Sequence, residues 1–85
     1  MNKRKLELGT RNMVGKKVTE MRLKHGLSQK DLLARLHLKG VEISIPALSL
    51  LEGQKRPVFD FELNALADIF NIEVDWLLGR KQNND

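Results

Sequence analysis

The sequence predicts an all-α fold, a compact bundle of about five short helices, and three observations predict it. Apolar residues recur at three- and four-residue spacing. Glycines, two prolines and capping residues punctuate the chain at helix-length intervals. No stretch alternates for long enough to build a sheet, since Val41-Glu42-Ile43 is short and isolated. Eighty-five residues, 41% of them hydrophobic, supply one core and not two. The expected organisation is a basic arm over 1–10, one helical domain over 11–79 and a polar tail over 80–85.

In the first helix Val14, Val18 and Met21 recur at helical spacing, with Leu23 a further candidate and basic residues between them. His25-Gly26 supplies its stop. Ser28-Gln29-Lys30-Asp31 then offers a capping box, with the Ser28 hydroxyl accepting from the Asp31 N–H and the Asp31 carboxylate reaching back. Leu32, Leu33 and Leu36 form the apolar face of helix two, and Ala34 is small enough to let a neighbouring helix approach. His37 to Ile43 connects onward, with Leu38, Val41 and Ile43 expected to tuck under the domain. The third helix, 44–52, has a Ser44 cap, Pro46 in its first turn and Gly53 past its end. Proline disfavours helical geometry at the residue before it, so Ile45 is expected extended and the helix to begin at Pro46. Gln54-Lys55-Arg56-Pro57 forms a basic loop. Asp60 is expected to cap a fourth helix carrying Leu63, Leu66, Ala67 and Phe70, closed by Asn71. Val74 to Gly79 makes a last short helix whose Trp76 belongs to the core or a dimer seam.

Composition excludes several function classes. Without cysteine there is no disulfide, thiolate metal site or thiol nucleophile. His25 and His37 are the side chains that titrate near neutrality, and both fall at helix ends without a paired carboxylate or metal-ligand spacing. No catalytic group, metal or cofactor is expected. Met1–Thr10 is charged, without a signal peptide's apolar stretch, and no apolar run approaches the ~20 residues of a membrane helix. The expectation is a cytoplasmic protein with no membrane partner. Net charge is +4, but Met1 to Lys30 holds nine basic residues against Glu7 and Glu20, a local balance of +7 over a remainder of −3. Such a distribution suits a polyanion, whose neutralised phosphates release counterions, and suits equally a plainly solvated helix face.

Arg22-Leu23-Lys24-His25-Gly26-Leu27-Ser28-Gln29-Lys30-Asp31-Leu32, Leu48-Ser49-Leu50-Leu51-Glu52-Gly53, Glu62-Leu63-Asn64-Ala65-Leu66-Ala67 and Val74-Asp75-Trp76-Leu77-Leu78-Gly79 occur in an order and spacing that is specific when taken together. From about Val14 to Gly79 the chain resembles the phage repressor/Cro-type, or xenobiotic-response-element, helix-turn-helix family. The resemblance implies a cytoplasmic, homodimeric transcription regulator, a small repressor, binding double-stranded DNA with helix 44–52 in the major groove. It implies phosphate contacts from Gln29 at the start of helix two, with Lys30, Gln54, Lys55 and Arg56 around helix three. Arg22 and Glu52 fall where the family carries a structural ion pair. If phosphates supply the affinity, alanine at Lys55 or Arg56 each flattens the salt dependence of binding by about one unit. The Lys3-Arg4-Lys5 arm could lie along the same backbone.

Two departures stand out. The connection Leu38-Lys39-Gly40-Val41-Glu42 is longer than a tight turn. The base-facing positions hold Ile45, Pro46 and Leu50, with Ala47 and Ser49 beside them, and Ser49 alone of these five has a hydrogen-bonding side chain. Three uses of that apolar face stay open. It can touch thymine methyl groups while DNA shape and phosphates supply the rest; bind a protein partner, as an antitoxin-like interaction module would; or pack on the chain's own tail or a dimer mate.

Overall fold

A computed structural model describes residues 7–81. It is all-helical over these residues: α1 (Gly15–Lys24), α2 (Gln29–Leu38), α3 (Ile45–Glu52), α4 (Asp60–Phe70) and α5 (Val74–Leu77), with no strand among them. Helix α3 packs against α1 and α2, α4 against the same two, and α5 against α4. Val18, Leu32, Leu36, Leu48, Leu51, Leu66 and Leu77 are fully buried at their common centre. Each comes from a position that the three- and four-residue spacing of its helix turns inward.

The helix starts follow local chemistry. Ser28 caps α2 in a complete capping box, its Oγ accepting from the Asp31 N–H at 3.0 Å and the Asp31 carboxylate accepting from the Ser28 N–H at 2.9 Å. Ser44 caps α3 by accepting from the Ala47 N–H at 3.2 Å. Ile45 is the first helical residue, contrary to expectation: Ser44 carries the extended backbone, and Pro46, lacking an N–H, sits in the first turn where none is needed. Asp60 likewise does not cap α4 but begins it. The cap position is Phe59, whose N–H donates to Glu62 Oε1 at 2.9 Å.

The helix ends share one device. A residue with positive φ follows each helix, at Gly26, Gly40, Gln54, Asn71 and Gly79. The N–H one position later returns to a carbonyl five residues back: Leu27 to Arg22, Val41 to Leu36, Lys55 to Leu50, Ile72 to Ala67 and Arg80 to Asp75. At α3 the expected glycine, Gly53, keeps an ordinary φ of −82° and Gln54 takes the left-handed position at 59°.

Three side chains lie outside their expected places. Leu38 is 88% exposed, because the turn at Gly40 sends Val41 inward in its stead. Leu23 is exposed, one position off the stripe set by Val18 and Met21. Ala34 is exposed and no helix crosses it.

Candidate nucleic-acid interface

Helices α1, α2 and α3 are joined by a polar network centred on the buried Glu52. Glu52, 7% exposed, accepts from Arg22 Nε at 2.7 Å, from the Arg22 terminal nitrogen at 3.2 Å and from Gln29 Nε2 at 3.1 Å. Arg22 also donates to the Leu27 carbonyl at 2.9 Å, so the expected ion pair forms, and forms with its hydrogen bonds satisfied. Gln29 accepts in turn from the Ser49 hydroxyl at 3.2 Å. Its side chain therefore locks α3 to the first turn of α2. Its backbone N–H, at the first helical position, has no intrahelical acceptor.

With Leu48, Leu51 and Glu52 turned inward, α3 presents Pro46, Ser49 and Leu50 outward and Ile45 and Ala47 half-buried at the margin. Leu50 is 46% exposed. Lys30, in the first turn of α2, and Lys55, just past α3, are exposed, and neither pairs with a carboxylate among the described residues. Beside Lys30, Asp31 is held below the usual carboxylate range, first by the Ser28 backbone N–H and then by its hydroxyl.

Three of the five expected phosphate-contacting side chains, those of Gln29, Gln54 and Arg56, are committed within the protein instead, Gln29 to Glu52 and Ser49. Arg56 makes a bidentate pair with Glu62 at 3.0 and 3.1 Å, and donates to the Ala47 carbonyl at 3.0 Å and the Pro57 carbonyl at 2.7 Å. Gln54 accepts from the Lys16 N–H at 3.0 Å and donates to the Gly9 carbonyl at 3.2 Å. For Arg56 the cause is the α3–α4 turn, which brings Glu62 alongside; for Gln54 it is the seam that residues 9–12 make with the end of α3. The Gly9 N–H donates to the Gly53 carbonyl at 2.8 Å and the Arg11 N–H to the Gln54 carbonyl at 3.0 Å. Asn12 Nδ2 donates to the Leu51 and Arg56 carbonyls at 3.1 and 2.9 Å, while Asn12 Oδ1 accepts from the Val14 and Gly15 N–H groups that open α1. A side chain at Gly9 or Gly15 would collide with the backbone carbonyls of Gln54, Leu51 or Glu52. Sequence reasoning missed this seam. Its one local signal was Asn12 ahead of a helix start, the residue type that accepts from free amides. The Lys3-Arg4-Lys5 arm lies outside the described residues.

His25 packs its ring against Phe70 at 5.4 Å, and His37 Nε2 donates to the Ile43 carbonyl at 3.1 Å. Neither ring faces a carboxylate, and no cluster of three His, Cys, Asp or Glu side chains that could hold a metal ion occurs among the described residues. Trp76 is half-buried with Lys17 Nζ 5.5 Å over its ring. No described helix is long and apolar enough to cross a membrane. Compared with known protein families, curated proteins and solved structures, the chain matches none.

Proposed function

We propose that the chain is a sequence-specific DNA-binding regulator of transcription, a small repressor built on a helix-turn-helix unit, with α3 entering the major groove. One observation carries the proposal: α3 is clamped to the start of α2 through Gln29 and turns Pro46, Ser49 and Leu50 outward between the unpaired Lys30 and Lys55. A helix start with free amides and a lysine in its first turn suits a backbone phosphate. Ser49 is the hydrogen-bonding side chain on the outer face, and Leu50 and Ile45 suit thymine methyl groups. Affinity then comes mainly from phosphates, and selectivity from methyl contacts and duplex shape.

The exposed, stacked rings of Phe59 and Phe61, 5.6 Å apart, support a homodimer, since a two-fold repressor reads two half-sites. The apolarity of α3 favours a second function, a protein-binding module on the same scaffold. Selection from a pool of random duplexes at near-physiological salt separates the two. A reproducible enriched site is expected; a folded protein that enriches no site moves the function to the protein-binding module.

A further inference from the structure

Beyond the outer face of α3, residues 7–11 and Lys55 line an open depression of about 410 Å³. Its walls are Glu7, Leu8, Gly9, Thr10, Arg11 and Lys55. Both cations are exposed, and neither has a carboxylate partner within 4.0 Å among the described residues. They are nevertheless not placed independently. The Arg11 N–H is tied to the Gln54 carbonyl, and the Lys55 N–H closes α3 on the Leu50 carbonyl at 2.8 Å. On either side, Gly9 and Asn12 are bonded to Gly53, Leu51 and Arg56, and no side chain would fit at Gly9. Two backbones are thus held at contact distance with an arginine on one and a lysine on the other.

We infer that Arg11 and Lys55 form a phosphate clasp, one planar guanidinium and one compact ammonium meeting a single phosphoryl group, with the Thr10 hydroxyl within the same depression as a third donor. The chemistry suits a phosphoryl group: the two non-bridging oxygens of a phosphodiester point away from a tetrahedral centre and each accepts more than one hydrogen bond, so a fork, a point charge and a hydroxyl can engage them together. The source is a backbone phosphodiester of duplex DNA. With α3 in a groove, the turn leaving it faces the phosphates at the groove edge, and Lys55 belongs to that turn. That assignment of source rests on the DNA-binding function proposed above. Glu7 lines the same depression and opposes an anion there, so the clasp is restrained by a charge that a single substitution removes.

The test is binding of a fluorescent mixed-sequence duplex by the full chain across a salt series, with circular dichroism to confirm folding of every variant. Arg11→Ala and Lys55→Ala each weaken binding. Together they flatten the slope of log K against log salt by about one unit rather than two, because they neutralise one shared phosphate. Arg11→Lys keeps the slope, Glu7→Gln strengthens binding, and Lys24→Ala, at the far end of α1, changes nothing. Duplex binding that is unchanged in Arg11→Ala overturns the clasp. If the unmodified chain binds no duplex, the DNA-binding function fails, and tripolyphosphate followed by amide chemical shifts decides the clasp alone. Saturable shifts at Thr10, Arg11 and Lys55 that vanish in Arg11→Ala sustain it with a non-nucleic source of phosphate; their absence overturns it.

Discussion

Glu52 is held by two side chains from two other helices, which makes it the residue with most to lose. Removing Arg22 leaves a nearly buried carboxylate with Gln29 as its remaining side-chain donor, and breaking such a pair costs about 3–5 kcal/mol. Arg22→Ala and Glu52→Ala are therefore each expected to destabilise by that order. Arg22→Ala with Glu52→Ala is expected to cost clearly less than the two added, a coupling that urea titration of the cycle measures. Arg56 repeats the logic. Arg56→Ala strands Glu62, a loss of about 3–5 kcal/mol in unfolding free energy, but should leave the salt dependence of any DNA binding unchanged, whereas Lys30→Ala should flatten it by about one unit. In the sequence Arg56 stood in a basic loop and was expected at a phosphate. Nothing local distinguishes a lysine that stays in water from an arginine six residues ahead of its carboxylate, and the distinction emerges only when the α3–α4 turn folds back. The Arg22–Glu52 pair lies 30 positions apart and was expected only from a resemblance, since no local chemistry links the two positions.

At the scale of elements, helix positions were legible because spacing and punctuation act within a turn or two. Ser28, Ser44, Gly26, Gly40, Asn71 and Gly79 each do locally what their chemistry favours. The errors arose where a tertiary contact overrode the local preference. Gln54 takes the left-handed position next to an available glycine because its side chain is bonded on both sides, to the Lys16 N–H and the Gly9 carbonyl. Gln54→Gly removes a backbone cost of about 1 kcal/mol but gives up both bonds. Hydrogen exchange should show faster exchange at the Lys16 amide while the Lys55 amide, which closes α3, stays protected. The start of α2 has its own pH signature. Because the Asp31 carboxyl is held below its ordinary 3.8 in the folded chain, its contribution is complete above that value and is lost as pH falls through the depressed one. Asp31→Asn should flatten the acid limb of the stability curve and leave its neutral region parallel to that of the unsubstituted chain.

For the whole molecule, hydrophobic pattern and length sufficed to foresee a single helical bundle, because burying one stripe per helix leaves few alternatives. The candidate interface was half legible. Outward positions of α3 were expected from the resemblance, but the inward use of Gln54 and Arg56 depends on how the seam and the α3–α4 turn fold back on α3. The asymmetric charge follows the same division: Arg11 and Lys16 of the basic third flank the end of α3 through the seam, a neighbourhood that composition cannot express.

The seam has a further consequence for how the molecule is made. Asn12 and Gln54 join positions 39, 44 and 45 residues apart, so α1, α2 and α3 form a ring closed without a covalent bond. During synthesis that ring cannot close until Arg56 has cleared the ribosome. Until then the Lys16 N–H in the first turn of α1 waits for its Gln54 acceptor, and Val14 and Val18, the first core residues to be made, stay uncovered.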